Sequence, residues 1–249
     1  MTDGSLEGKV ALVTGAARRV GAVIVRRLYA AGARVAIHYR GAEDAAARLE
    51  AELNALREGS ALRVAADLLG QDAPQRLVDA VRARWGRIDL LVNNASTFYP
   101  TALGEIDAAQ WDELIGSNLR APMFLSQAAA PHLASARGAI VNIVDIHAVR
   151  PLKGYPVYSV AKAGLAALTR SLALELAPEV RVNAIAPGAI LWPEDGQFAP
   201  AERERVVATT PLARLGTPED IAQAVHFLAT APFVTGQVLA VDGGRSVFL

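Results

Sequence analysis

Cysteine is absent from this chain of 249 residues, and histidine occurs only four times. Without cysteine the protein forms neither a disulfide nor a thiolate metal site, and no two histidines have metal-ligand spacing. Lys and Arg together number 25, as do Asp and Glu, so the formal net charge is zero. Because no bulk field attracts polyanions, the composition disfavours nucleic acid and membrane surfaces as partners.

The sequence shows no pattern typical of a leader and no long apolar run. The segment Met1–Glu7 has neither a basic region nor an apolar region, so no signal peptide is expected. No hydrophobic stretch reaches the roughly 20 residues of a membrane span. We therefore expect a soluble, cytoplasmic protein whose partner is a small molecule.

Hydrophobic residues make up 52% of the chain, which suits one domain (1–249) with a large core. Apolar, β-branched runs alternate with amphipathic stretches. This alternation predicts an α/β fold, a doubly wound, Rossmann-like parallel sheet with helices on both faces. The expected strands are Lys9–Thr14, Arg34–Tyr39, Ala61–Ala66, Ile88–Asn93, Ala139–Val144, Val180–Ile185 and Val238–Val241. The expected helices are Arg19–Ala31, Glu43–Arg57, Asp72–Trp85, Ala108–Ser117, Leu119–Leu133, Tyr155–Leu176 and Pro218–Ala229. The irregular stretch 187–200 follows a strand and is a candidate substrate loop.

A tyrosine and a lysine lie four residues apart, at Tyr158 and Lys162, and Asp145 follows an apolar run. On a helix, side chains at this spacing share a face, with Cβ atoms about 5–6 Å apart. We expect the ammonium of Lys162 to lower the pKa of Tyr158 from its usual value of about 10. The pair would then exchange a proton with a carbonyl or an imine near neutral pH. Taken singly, a chance pair on a helix or a capping aspartate explains these residues as well.

The segment Thr14–Gly21 joins the first expected strand to the first helix and is rich in small residues. Small side chains let the backbone approach a pyrophosphate at the positive end of a helix. A tight turn with a packing glycine explains Gly15 and Gly21 equally well. The motif reads T-G-x-x-x-R-x-G, with Arg19 as its arginine.

This segment resembles the T-G-x-x-x-G-x-G loop of the short-chain dehydrogenase/reductase family, and the resemblance covers nearly the whole chain. Tyr158 and Lys162 match that family's Tyr-x-x-x-Lys pair, and Asn118 falls where the family keeps a catalytic asparagine. Pro187–Gly188 matches its Pro-Gly contact to nicotinamide. Asn93–Ala95 matches the start of its Asn-Asn-Ala-Gly segment, with Ser96 in place of the glycine. The resemblance implies an oxidoreductase that uses a nicotinamide dinucleotide.

Three departures from the family pattern point to a narrower group. Asp145 replaces the usual catalytic serine, and Arg19 replaces the middle glycine of the loop. The segment Asn93–Pro100 reads N-N-A-S-T-F-Y-P. Together these features resemble the pteridine reductases, in a compact, bacterial-type form. The resemblance implies reduction of dihydropterin or dihydrofolate, with oxidised pterin or folate as a further option, to the tetrahydro level.

A flat, nitrogen-rich ring suits these side chains. Phe98 offers a stacking face opposite nicotinamide, although it is also an ordinary core residue. Ser96 both donates to and accepts from ring heteroatoms. Arg19 is suited to bridge pyrophosphate and pterin, or it is simply a solvated arginine. A serine at this position only donates a hydrogen bond to a carbonyl. We expect the carboxyl of Asp145 instead to form part of a proton relay through Tyr158 to a ring nitrogen.

The end of the second strand indicates the cofactor. NAD-dependent members place an acid there to bind the ribose 2′-hydroxyl, whereas this strand ends His38-Tyr39-Arg40-Gly41, with no acid before Glu43. Arg40 is suited to a 2′-phosphate, so we expect NADP(H), unless Arg40 is an ordinary surface residue. The expected cofactor contacts are Gly15, Arg18, Arg19, Val20, His38, Tyr39, Arg40, Asp67, Leu68, Asn94, Ala95, Ser96, Tyr158, Lys162, Pro187 and Gly188.

Two other functions stay open at this stage. One is a carbonyl reductase of the ketone or 3-oxoacyl type that tolerates aspartate in place of serine. The other is a nucleotide-sensing regulator on the same scaffold, which would not need the retained Asn118, Tyr158 and Lys162. The family is usually homotetrameric, and we expect the apolar end 246–249 to pack between subunits.

Overall fold

The computed structural model describes residues 4–193, 196 and 198–248, and the strands within them form one parallel sheet in the order β3-β2-β1-β4-β5-β6-β7. The strands are β1 (Val10–Val13), β2 (Arg34–Tyr39), β3 (Ala61–Ala65), β4 (Leu90–Asn93), β5 (Ala139–Ile143), β6 (Arg181–Pro187) and β7 (Val238–Val241). The helices are α1 (Arg19–Ala30), α2 (Glu43–Leu56), α3 (Ala73–Trp85), α4 (Ala108–Ile115), α5 (Ala121–Ala136), α6 (Pro156–Glu175), α7 (Pro200–Ala208), α8 (Pro218–Thr230) and α9 (Arg245–Phe248).

The sheet is covered on both faces because successive side chains of a strand point to opposite sides. Along β1, Ala11 and Val13 pack into the layer of α1, α2 and α8. Val10 and Leu12 pack into the layer of α3, α5 and α6. The predicted single-domain, doubly wound parallel fold is confirmed.

The strand order reverses between β1 and β4, so the loops that follow these two strands diverge. Ligands of open α/β sheets bind in the crevice at such a reversal. Gly15 follows β1 with a φ of +59°, and a Cβ on it would lie 2.9 Å from the Cα of Ala95, which follows β4. Only glycine combines this conformation with so close an approach, so Gly15 shapes the crevice.

Some local features differ from the sequence prediction. The two helices expected near 108–117 and 119–133 are joined by a π-helical turn, Gly116–Arg120, which contains Asn118. Such turns are rare and occur often at functional sites. Helix α7 was not predicted, because Val206 is its only buried residue and its apolar periodicity is weak.

Within the described part of the chain, no helix is long and apolar enough to cross a membrane. Parts of two predicted segments lie outside the described residues. They are Glu194, Asp195 and Gln197 of the expected substrate loop, and Leu249 of the expected subunit contact.

Candidate active site

A cleft of about 1110 Å³ runs along the carboxyl edge of the sheet, and nearly every predicted site residue lies on its wall. Asn118 is the exception, since it is fully buried behind Ser96. The predicted residues on the wall are Gly15, Arg18, Arg19, Val20, His38, Tyr39, Arg40, Asp67, Leu68, Asn94, Ala95, Ser96, Phe98, Asp145, Tyr158, Lys162, Pro187 and Gly188.

Tyr158 and Lys162 lie one turn apart on α6, and both side chains are buried. The Tyr158 hydroxyl donates to Asp145 Oδ2 at 2.9 Å. Asp145 Oδ1 accepts the backbone N–H of His147 at 2.8 Å, so the aspartate caps a 3₁₀ turn and also holds the tyrosine. Lys162 Nζ donates to the carbonyl of Ile143 at 2.9 Å. The capping and the catalytic interpretations of Asp145 are therefore compatible.

The electrostatics of this group correct one prediction. Burial raises the pKa of Tyr158 well above its ordinary value, the charge and hydrogen bond of Asp145 raise it further, and the Ser96 hydroxyl acts in the opposite direction. Burial lowers the pKa of Lys162 to about 8, against the attraction of Asp145. The prediction of a lowered pKa for Tyr158 is wrong for this structure, because burial and the directly bonded carboxylate of Asp145 both raise it. The ammonium lies 5.6 Å from the ring centroid. Tyr158 therefore holds its proton near neutral pH.

Asn118 organises the loop that follows β4. Its Oδ1 accepts from Ser96 Oγ at 2.7 Å, and its Nδ2 donates to the carbonyls of Thr97 and Leu114 at 2.9 and 3.0 Å. These bonds join the π-helical turn to the loop that carries Phe98. In this structure Asn118 thus acts on the cleft through Ser96.

The turn after β1 is held by side chains from neighbouring strands. The Gly15 N–H donates to His38 Nδ1 at 3.1 Å, and His38 Nε2 bonds the Ala66 carbonyl at 3.0 Å. Because Nδ1 accepts, Nε2 carries the proton of a neutral ring, and burial lowers the pKa of His38. Asn94 Nδ2 donates to the carbonyls of Thr14 and Gly15 at 2.8 and 3.1 Å. Two predicted cofactor contacts, His38 and Asn94, thus use their side chains to shape this turn.

Arg19 has a φ of +53°, in the left-handed region that glycine occupies easily. A residue with a side chain pays roughly 1–2 kcal/mol for this conformation. Its Nη2 donates to the carbonyl of Trp192 at 2.9 Å and lies 3.4 Å from that of Leu191. Arg19 therefore connects the turn after β1 to the segment 187–200 across the cleft.

The end of the cleft nearest β2 and β3 is polar and exposed. Arg18 and Arg40 are both solvent-exposed, while Tyr39 and Leu68 are buried beside them. The Asp67 carboxylate accepts the N–H of Leu69 at 3.0 Å, which orients it after β3. This end presents cationic side chains to a ligand.

Four aromatic side chains form what we term the aromatic wall: Phe98, Tyr155, Trp192 and Phe198. Phe98 stacks on Tyr155 with centroids 4.6 Å apart, and its ring meets that of Tyr158 edge-on at 4.8 Å. Phe198 is nearly parallel to Phe98 and Tyr155, at 6.4 and 6.5 Å, and Trp192 packs on Phe198 at 5.5 Å. Sequence reasoning missed Tyr155. Its place three residues before Tyr158, where a helix brings side chains together, is the signal that could have found it.

Known protein families and proteins include sequences similar to this chain. A family model described as enoyl-(acyl carrier protein) reductase matches residues 15–246. Pteridine reductase 1 of Leishmania tarentolae is 39% identical over 280 residues, covering 96% of each chain. A ketoacyl reductase assigned to the granaticin polyketide synthase of Streptomyces violaceoruber is 40% identical over 251 residues, covering 98% of each chain.

Among solved structures, a blue fluorescent protein from a metagenomic library, in complex with NADPH, superposes with a TM-score of 0.90. It is 36% identical, with 97% of this chain and 99% of that chain covered. The similarity in sequence and the similarity in fold both extend over almost the full length of this chain. The chain belongs to the short-chain dehydrogenase/reductase family of NAD(P)-dependent oxidoreductases.

Proposed function

We propose that this protein is an NADPH-dependent pteridine reductase that converts dihydropterin or dihydrofolate to the tetrahydro form. The observation that carries the proposal is the hydrogen bond from Tyr158 to Asp145 at 2.9 Å. A carbonyl reductase needs only a neutral donor beside its tyrosine, whereas a carboxyl group in that place is able to resupply a proton. Reduction of a ring C=N bond requires a proton at nitrogen when hydride adds to the adjacent carbon.

The residues on the cleft fit a nicotinamide dinucleotide phosphate. We propose that the glycine turn at Gly15 holds the pyrophosphate, since it lies at the N-terminus of α1, where the helix dipole favours an anion. Arg18, Arg40 and Pro187–Gly188 line the cleft. We propose that the two arginines would bind the 2′-phosphate and that Pro187–Gly188 would contact the nicotinamide end. When bound, the cofactor supplies the hydride.

The chain's own residues supply the proton and the geometry. Tyr158 is the proton donor, because its raised pKa keeps the hydroxyl protonated. Asp145 accepts the hydrogen bond of Tyr158. After the phenol has given its proton to the substrate, the carboxylate takes a proton from solvent and passes it to the phenolate. Lys162, a buried ammonium donor, holds the nicotinamide ribose. Ser96, which lines the cleft and bonds Asn118, orients the ring heteroatoms.

The aromatic wall supports a planar substrate. Phe98 lines the cleft, and its stacking on Tyr155 and its edge contact with Tyr158 hold its ring in place. A rigid ring beside the proton donor favours a flat heterocycle over a flexible acyl chain. The alternative is a 3-oxoacyl reductase, and the similarity to a ketoacyl reductase supports it.

A direct assay separates the two candidates. Oxidation of NADPH is followed with dihydrobiopterin, dihydrofolate and an acetoacetyl thioester in parallel. We expect a kcat/KM for a pterin at least tenfold above that for the thioester, a difference of about 1.4 kcal/mol in transition-state binding. A preference for the thioester would assign the protein to the 3-oxoacyl reductases, and absence of turnover with all three would favour a nucleotide-sensing role.

Replacement of Arg40 by alanine is expected to abolish most of the preference for NADPH over NADH. Charge-assisted hydrogen bonds contribute about 1.5–3 kcal/mol, so kcat/KM for NADPH should fall about tenfold or more while that for NADH changes little. Arg34→Ala, an exposed arginine at the opposite end of the same strand, is the matched control. Equal use of both cofactors by the wild type would contradict this reading of β2.

Replacement of Arg19 separates its backbone strain from its contact across the cleft. Arg19→Ala and Arg19→Gly both remove the bonds to the segment 187–200, so we expect KM for the pterin to rise about tenfold in each. The glycine variant should be more stable than the alanine variant by about 1 kcal/mol in urea unfolding, because glycine accepts a positive φ. Pterin KM values equal to that of the wild type would show that Arg19 plays no part in substrate binding.

We further propose that residues 1–249 act as one catalytic domain, with 187–200 as its substrate loop, and that the protein is a cytoplasmic homotetramer. The exposed apolar residues Phe227, Phe233 and Leu239, on or near α8 and β7, support self-association. Light scattering coupled to size-exclusion chromatography tests the assembly, and a monomer at assay concentration would contradict it.

A further inference from the structure

Two arginines with no role in the proposed chemistry lie on the cleft wall near the carboxyl end of β7. Arg205 comes from the last turn of α7 and Arg245 from the first residue of α9, and both line the cleft. They are neighbours, since Arg245 Nη1 donates to the carbonyl of Val206, the residue that follows Arg205. In keeping with this, burial lowers the pKa of Arg245 and the positive charge of Arg205 lowers it further. Two like charges side by side repel each other, and an anion between them would relieve that repulsion.

The hydrogen bonds of these side chains leave donors free. Arg245 Nη1 donates to the Val206 carbonyl at 3.0 Å and to Thr209 Oγ1 at 2.6 Å, which ties α9 to the end of α7. A guanidinium carries five N–H donors, and no acceptor among the described residues bonds Nε or Nη2 of Arg245, so these donors are available to a ligand. Within residues 4–193, 196 and 198–248, no carboxylate forms an ion pair with either arginine.

The acidic groups nearby do not cancel this charge. Asp242 accepts the backbone N–H groups of Gly244 and Ser246 at 2.9 and 2.6 Å, so its carboxylate is engaged by its own turn. Its negative charge raises the pKa of Arg245, but by less than burial and the charge of Arg205 lower it. Glu202 lines the cleft one turn before Arg205 and is the one facing carboxylate in the described part of this wall. Two guanidiniums against one carboxylate leave a net positive charge facing the cleft.

The position of the pair relative to the proton donor sets the length of a suitable ligand. Asp145 follows β5, and Arg245 follows β7 by a short turn; β6 lies between these parallel strands. Neighbouring strands are about 4.8 Å apart, so the ends of β5 and β7, which precede the two sites, are separated by about 10 Å along the sheet edge. A pterin ring at Tyr158 with an aminobenzoyl linker is long enough to bring a terminal carboxylate to the arginines.

We propose that Arg205 and Arg245 form a carboxylate subsite that binds the glutamate tail of a folate-type substrate. This inference rests on the proposed pterin chemistry for the identity of the ligand and goes beyond it by favouring folates over pterins with neutral side chains. Arginine suits the role because its planar fork pairs a carboxylate through two parallel hydrogen bonds.

The first test compares dihydrofolate with dihydrobiopterin, which has no carboxylate. In Arg205→Gln we expect kcat/KM for dihydrofolate to fall about tenfold and that for dihydrobiopterin to change less than about twofold. Arg205→Lys should retain part of the preference, because the charge remains without the fork. Arg170→Gln, an exposed arginine of α6 away from the cleft, is the matched control. Equal losses on both substrates, or a comparable loss of NADPH affinity, would overturn the assignment.

The second test does not depend on turnover. Calorimetric binding of p-aminobenzoylglutamate and of neutral p-aminobenzamide to the NADPH complex is compared in the wild type and Arg205→Gln. We expect the acid to bind more tightly to the wild type only, with an advantage that shrinks as salt is raised. If the wild type binds the acid more tightly than the amide but reduces neither dihydrofolate nor dihydrobiopterin, the carboxylate subsite is supported and the pteridine reductase function is rejected. Equal binding of acid and amide to the wild type would reject the subsite alone.

Discussion

Tyr158→Phe is expected to lower kcat for pterin reduction by about 10²–10⁴-fold while leaving the affinity for NADPH nearly unchanged. The substitution removes one oxygen, the atom that donates to Asp145 Oδ2, and keeps the aromatic ring. The edge contact with Phe98 at 4.8 Å should therefore survive, and with it the shape of the cleft. Steady-state turnover and a fluorescence titration of NADPH measure the two quantities separately.

The control for this experiment is Tyr29→Phe, which removes a phenol that donates to the Leu53 carbonyl at 2.9 Å, outside the cleft. Its kcat should match that of the wild type. Loss of a general acid typically lowers the rate by about 10²–10⁴-fold. If Tyr158→Phe kept more than about a tenth of wild-type kcat, Tyr158 would not be the proton donor.

Replacing Asp145 should produce the second large effect and a diagnostic change in pH dependence. Asp145→Asn keeps the shape of the side chain but cannot carry a proton to Tyr158, so we expect kcat on dihydropterin to fall by about 10²-fold. Asp145→Ser should also damage pterin reduction while leaving NADPH binding nearly intact.

The sign of the pH shift follows from the charge that is removed. After burial, the negative charge of Asp145 is the largest cause of the raised pKa of Tyr158. A neutral asparagine removes that contribution, so the pKa of Tyr158 falls. Reduction requires protonated Tyr158 and is lost as pH rises through this pKa. The alkaline decline of kcat should therefore begin at lower pH in Asp145→Asn than in the wild type.

Profiles of kcat against pH on both pterins check this expectation. If the alkaline decline of kcat begins at the same pH as in the wild type and both variants keep wild-type turnover, Asp145 is only a structural cap of the turn at 146–148. The substrate class would then revert to an unspecified carbonyl.

Local sequence patterns were sufficient for most of the fold. Strands such as β1 and β5 are short apolar runs, helices such as α6 carry a 3.6-residue periodicity, and both signals depend only on neighbours in the chain. The π-helical turn at Asn118 escaped prediction because Gly116 at its start and Pro122 just after it are equally typical of an ordinary break between two helices. Helix α7 escaped because it buries a single side chain, Val206.

The candidate site was likewise predictable from the sequence only in part. Motif spacing was enough to propose Tyr158, Lys162 and Asp145, since their distances along the chain constrain which side chains share a face or follow a strand. It was not enough to give the pKa of Tyr158. The direction of its shift depends on burial and on a carboxylate thirteen residues away, and both raise the pKa.

By itself the sequence determined the parallel α/β architecture, the family and the identity of the chemical groups at the carboxyl edge of the sheet, because periodicity and turn chemistry are properties of short segments. Only the tertiary structure decided which distant groups meet. The stacking of Phe98 with Tyr155 and Phe198, and the pairing of Arg205 with Arg245, join segments that are far apart in the chain. Distance, burial and charge between such segments arise from packing, which no local pattern encodes.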